Sequence, residues 1–135
     1  MATVTLLTYT PEPEKSVASA AKLCYSASTI GTIREGLTPE KTASFVEMLA
    51  ELGHESPIEH VSFTFGIEGI SRACSHQLVR HRHMSFSQKS QRYVKEKGQF
   101  DFIIPPTIEK NEELKAKFLN FMGEISKIYC EFTEA

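Results

Sequence analysis

Val61, Phe63, Phe65 and Ile67 alternate with Ser62, Thr64, Gly66 and Glu68, the period of two that predicts a half-buried strand. A β-branched, apolar run from Val4 to Tyr9, closed by Pro11-Glu12-Pro13, predicts a second strand. Between these runs the period lengthens. Val17, Ala20, Ala21 and Cys24 share one face of a helix predicted over 14–25, and the stretch 26–37, with Gly31 and Gly36, reads as a loop. Thr38-Pro39 offers a hydroxyl cap and a proline at the first helical position, Val46, Leu49 and Leu52 continue that helix, and Gly53 stops it. After the alternating strand, a helix is predicted from Ile70 to about Arg80. Tyr93-Val94 opens a possible strand, and 100–104 reads as another, closed by Pro105-Pro106.

The strongest periodic signal comes last. Leu114, Phe118, Phe121, Met122, Ile125, Ile128, Tyr129 and Phe132 recur at helical spacing over 107–134. The chain reaches Glu134-Ala135 without glycine, proline or a polar tail. The expectation is that another subunit or a further segment covers so broad an apolar face. These elements predict an α+β fold, one domain over 1–135 with a small, mainly antiparallel sheet packed with helices, in an oligomer.

Composition narrows the picture without deciding it. At 135 residues, 41% hydrophobic and 24% charged, the chain suits an ordinary globular domain that folds without disulfides or metal. A net charge of −2 argues against a general nucleic-acid binder, and no apolar run approaches membrane-spanning length. Cys24, Cys74 and Cys130 are odd in number, far apart and without CxxC spacing, which predicts a reducing, cytoplasmic compartment. Cys24 and Cys74 lie in apolar helical patterns and read as buried, structural thiols.

Charge becomes informative when it is located. Three of the five arginines (Arg80, Arg82, Arg92) fall within thirteen residues, and all five histidines lie between His54 and His83. Guanidinium forks match phosphate oxygens bidentately, and the hydroxyls and amides of Ser85, Ser87, Gln88, Ser90 and Gln91 can complete a cradle. Crowded like charges repel, which a fold tolerates more readily when an anion compensates them. The residues alone leave a mononucleotide, a dinucleotide and an RNA backbone open.

Two neighbouring segments admit both plain and functional readings. In Gly53-His54-Glu55-Ser56-Pro57-Ile58-Glu59-His60, a solvated turn competes with a site that sets His54 and Ser56 against a ligand, and no standard metal spacing is met. In 72–81, Gln77, Arg80 and His81 share one face if the helix continues that far. His76, His81 and His83 make a poor zinc set beside Arg80 and Arg82, so no metal site is expected.

At this point the residues resemble a family. RHRHMSFSQKSQRY (80–93) is similar to the signature of the flavin-dependent thymidylate synthases, Arg-His-Arg, seven residues, then Ser; GHESPIEH and VSFTFGIEG resemble it too, and the likeness covers roughly 13–105. The resemblance implies synthesis of dTMP from dUMP, with methylenetetrahydrofolate giving the methylene and FAD, reduced by NADPH, the hydride. It implies that His54, Ser56, Arg80, His81, Arg82 and Gln88 hold FAD. Gln77, Arg80, Gln88, Lys89, Ser90, Gln91 and Arg92 would bind dUMP, with Arg92 as the phosphate clamp and Ser90 as a positioning hydroxyl. It further implies a homotetramer with sites at subunit interfaces, and no nucleic-acid or membrane partner. No GxGxxG fingerprint accompanies the flavin.

Two departures accompany the likeness. Where many members carry Asn-Glu in the loop, this chain has Ser87-Gln88, without a carboxylate. The family's C-terminal motif, with an FAD asparagine and the arginine that activates uracil, would lie beyond residue 135. The chain is therefore expected to be the N-terminal portion of such an enzyme, with no certain catalytic residue of its own. The competing reading is a non-catalytic nucleotide- or RNA-binding module that uses the arginine-rich loop.

Overall fold

The computed structural model describes residues 2–96, 98 and 101–134. The chain divides into two compact units, Thr3–Ile67 and Glu68–Ala135 with Met1–Ala2. Its element order is β1 (Thr3–Tyr9), α1 (Pro13–Leu23), α2 (Ile30–Glu35), α3 (Pro39–Glu51), a 3-10 helix (Ser56–His60), β2 (Phe63–Glu68), α4 (Arg72–Leu78), α5 (Pro106–Glu109) and α6 (Glu112–Glu134). The architecture is helices with one small antiparallel sheet of two strands, β1 beside β2.

In Thr3–Ile67, α1 packs on α2, α3 and the 3-10 helix. Val17, Ala21 and Leu49 form one buried cluster, and Ala18, Ile33 and Leu37 form another. Phe45 and Val46 pack against both, so they join the two clusters. Small residues on α1 let the helices approach closely. The start of α3 follows its sequence: the Thr38 hydroxyl accepts from the Lys41 amide at 3.4 Å, with Pro39 in the first turn. Glu40 reaches back over the same turn. A bond to its own backbone N–H and one to the Thr38 hydroxyl hold its carboxyl below the ordinary 4.5.

The structure corrects several expectations. The stretch 26–37 is not all loop: the Thr29 hydroxyl accepts from the Thr32 amide, and the capped helix α2 buries Ile33. Burial of an apolar side chain outweighs the weak helix propensity of the glycine at its start. The alternating strand is present, but Phe63, Phe65 and Ile67 stay exposed in the single chain rather than half-buried, and Leu7 and Tyr9 of β1 are exposed too. Their rings still order the ribbon, with Tyr9 stacked on Phe63 at 6.2 Å and Phe63 on Phe65 at 6.4 Å. Cys24 and Cys74 are exposed, not buried, because Cys24 falls at the end of α1 and Cys74 on the outer side of short α4. No strand forms at Tyr93-Val94 or over 101–104; Phe100 lies outside the described residues.

The unit that begins at Glu68 is built differently. Among the described residues, its buried side chains are the hydroxyls Ser75 and Ser126 rather than apolar groups. Phe102 meets Phe118 of α6 edge-on at 5.7 Å. Phe118, Met122, Ile125 and Tyr129 are half-buried within the chain, whereas Leu114, Phe121, Ile128 and Phe132 on the same helix remain exposed. The long final helix is thus confirmed, and its own chain covers only part of its apolar surface. Among the described residues, no helix is long and apolar enough to cross a membrane.

Candidate functional site

His54 is placed by the way α3 ends. Gly53 adopts φ +68°, a left-handed turn that a glycine enters without the clash of a Cβ. The Gly53 amide then returns to the Ala50 carbonyl at 3.1 Å and the His54 amide to the Leu49 carbonyl at 2.9 Å. That double return fixes the backbone of His54 and leaves its imidazole exposed. Ser56 opens the 3-10 helix with Pro57 behind it, also exposed. The plain reading of a turn at Ser56-Pro57 and the functional one are both compatible with this geometry. His54 and Ser56 stand on the unit Thr3–Ile67; the remaining candidates belong to the other unit.

Those candidates start where α4 stops. The Ser71 hydroxyl caps α4 by accepting from the Cys74 amide at 3.1 Å. The helix ends at Leu78, earlier than the sequence pattern predicts, and carries Gln77 but not Arg80 or His81. Tight turns carry the chain onward, with Arg80 N–H to the Gln77 carbonyl and His81 N–H to the Leu78 carbonyl, both at 3.1 Å. Arg80, His81 and Arg82 therefore follow a helix C-terminus, whose partial negative charge favours cations. They do not share one helical face with Gln77.

From Ser85 to Val94 the chain runs through irregular structure and a turn. The Ser90 hydroxyl accepts the Arg92 amide at 3.2 Å, and the Val94 amide reaches the Ser90 carbonyl at 3.1 Å. Ser90 thus organises the turn that displays Gln91 and Arg92. The Arg92 guanidinium lies 5.7 Å from the Tyr93 ring centre. Among the described residues, none of Arg80, Arg82 and Arg92 is ion-paired with a carboxylate. Lys89 differs, since Glu96 takes its ammonium at 2.5 Å. A carboxylate therefore does stand at this loop, supplied by Glu96 rather than by position 88. Among the described residues, no three His, Cys, Asp or Glu side chains gather as a metal ion requires.

Residues 5–135 match the family described as thymidylate synthase complementing protein. The chain belongs to that family. It is 56% identical over 126 residues to a flavin-dependent thymidylate synthase of Clostridium tetani, covering 93% of this chain and 50% of that protein. It is 47% identical to one of Nitratidesulfovibrio vulgaris (93% and 53% covered) and 40% identical to one of Pyrococcus abyssi (97% and 55%). The chain spans about half the length of the curated relatives it matches.

The structure adds residues that the sequence pattern passed over. Arg72 donates to the Lys89 carbonyl at 3.4 Å, and Gln88 donates its amide to the Ser75 hydroxyl at 2.5 Å. These partners lie 17 and 13 positions apart in sequence, a separation with no periodic signature.

Proposed function

We propose that this chain is the flavin- and nucleotide-binding portion of an FAD-dependent thymidylate synthase, which makes dTMP from dUMP with methylenetetrahydrofolate and NADPH. One observation carries the reading. In a member of this family, Arg80, Arg82 and Arg92 stand exposed in turns, and their guanidinium groups have no carboxylate partner among the described residues. Such groups fit the phosphates of FAD and dUMP, because an anion relieves their mutual repulsion. His54, Ser56, Arg80, His81, Arg82 and Gln88 would hold FAD, and bound FAD supplies the hydride.

The chain's own residues bind and orient. Arg92 clamps the dUMP phosphate with Lys89, Ser90 and Gln91 around it, and Gln77, Arg80 and Gln88 complete the nucleotide contacts. Lys89 reaches the phosphate by exchanging Glu96 for it. Neither Ser90 nor a cysteine is assigned a covalent step, and the Ser90 hydroxyl, which accepts the Arg92 amide, is assigned to positioning the turn. The arginine that activates uracil would come from the part of the relatives' length that this chain does not span. Assembly as a homotetramer, with sites at subunit interfaces, belongs to the same reading; the exposed Leu114, Phe121, Ile128 and Phe132 support it.

The test is to titrate FAD into the purified chain and follow flavin absorption and fluorescence. Saturable binding that weakens in Arg82→Ala or His81→Ala is expected. A second reading, a non-catalytic nucleotide- or RNA-binding module, rests on the same exposed arginines of the loop. Binding of dUMP or RNA without FAD would establish that reading in its place.

A further inference from the structure

The chain from Gln88 to Glu96 is fastened at both ends and displayed in the middle, and Gly98 is held as well. At its start, Gln88 donates to the buried Ser75 of α4 at 2.5 Å, and Arg72 donates to the Lys89 carbonyl at 3.4 Å. At its end, the Glu96 amide donates to the Tyr129 hydroxyl at 3.3 Å, and Ser126, only 4% exposed, donates to the Gly98 carbonyl at 3.0 Å. Lys95 adds a contact to the Thr133 carbonyl at 3.2 Å. Ser126, Tyr129 and Thr133 follow one another at three- and four-residue steps, so they form one stripe of α6 turned toward the loop. Gly98 has φ +68°, and a Cβ there would meet nothing within 4 Å, so backbone conformation favours glycine at this position. Between the fastenings, Gln91 and Arg92 are exposed.

We infer that Arg72 and Ser75 of α4 and Ser126 and Tyr129 of α6 are positioning residues that pin the loop at Gln88–Lys89 and at Glu96 and Gly98 and so pre-order the turn at Ser90–Arg92 for an anionic nucleotide. The inference rests on the reading of that turn as the dUMP-binding element. A flexible loop must be ordered when its ligand binds, and that entropy is subtracted from the affinity. Contacts made before binding remove part of the subtraction. Each neutral hydrogen bond contributes about 0.5–1.5 kcal/mol net, so losing one tether should weaken dUMP binding roughly two- to ten-fold. None of the four residues needs to touch the nucleotide.

The experiment uses the 135-residue chain with Ser126→Ala, Tyr129→Phe and the double substitution, and with Lys127→Ala on the exposed face of α6 as a control. Amide hydrogen exchange over 88–96 and calorimetric titration of dUMP are measured on each. The expected result is faster exchange in the loop, led by Glu96, and a roughly two- to ten-fold loss of dUMP affinity per tether. Exchange in α1–α3 should stay unchanged, as should every value in Lys127→Ala, and the thermal midpoint should fall by no more than the few degrees that one lost neutral hydrogen bond implies. Ser126→Thr, which keeps the hydroxyl, should restore loop exchange and affinity toward those of the unsubstituted chain. If that chain binds dUMP while the tether variants alter neither loop exchange nor affinity, the pinning role is refuted and the nucleotide assignment stands. If the unsubstituted chain binds no dUMP although loop exchange responds, the nucleotide assignment fails and takes the positioning role with it.

Discussion

Replacing Arg92 by alanine separates binding from folding more cleanly than other changes in the loop. Its guanidinium is exposed, has no carboxylate partner among the described residues, and touches only the neighbouring Tyr93 ring at 5.7 Å. An exposed cation–π contact is worth about 0.5–1 kcal/mol, so Arg92→Ala should lower stability by no more than that. The turn should survive, because Ser90 bonds the backbone N–H of residue 92 rather than its side chain. A charge-assisted bond to phosphate is worth about 1.5–3 kcal/mol, which is a loss of dUMP affinity of roughly ten- to a hundred-fold. Arg92→Lys keeps the charge without the planar fork and should fall between the two. The assay is calorimetric titration of dUMP at two salt concentrations, alongside FAD titration and urea unfolding. Because screening weakens an exposed ion contact, the gap between the wild-type chain and Arg92→Ala should narrow at high salt. Unchanged dUMP affinity with lost FAD binding would refute the assignment and exchange the two ligands along the loop.

Leu49, at 4% exposure in the cluster with Val17 and Ala21, should cost about 2–5 kcal/mol when truncated to alanine, measured by urea unfolding. The carboxyl of Glu40 is held below its ordinary 4.5 by its own backbone N–H and by Thr38, so it is more acidic folded than unfolded. The stability it contributes is therefore present above about pH 4.5 and lost as pH falls through the lower folded value; Glu40→Gln should flatten that part of the acid-unfolding curve. Sedimentation of the chain should show self-association, diminished in Phe121→Ser, because Leu114, Phe121, Ile128 and Phe132 are left exposed along α6.

What the sequence revealed well was local chemistry. Thr38 as cap and Gly53 as stop both act as their residue types predict, because capping depends on a few adjacent atoms. The alternation at 61–67 identified β2 within two residues, and the spacing over 107–134 identified α6. What it concealed depends on partners distant in the chain. Helix α2 exists because Ile33 and Leu37 join Ala18 in a buried cluster, which no window around Gly31 discloses. A strand over 101–104 had the right residue types, yet extended backbone becomes a strand only beside a partner that can pair with it. The early end of α4 at Leu78 follows the same logic, since Arg80 and His81 are satisfied by tight turns rather than by another helical turn.

The candidate site divides along the same line. The arginine crowding at 80–92 is visible in sequence because it is a composition anomaly in a chain of net charge −2. Its support is invisible there, since Ser75, Ser126 and Tyr129 are ordinary residues in ordinary helical patterns until the fold brings loop groups to them. Position 88, where the resemblance implies a carboxylate, reads differently once Gln88 and Glu96 are both placed. Gln88 uses its amide to fasten the loop to Ser75, while Glu96 brings a carboxylate to Lys89 from seven positions later. A carboxylate at 88 would offer the Ser75 hydroxyl an acceptor in place of a donor. Gln88 thus acts as a neutral tether, and the guanidinium groups at 80, 82 and 92 have no carboxylate partner among the described residues.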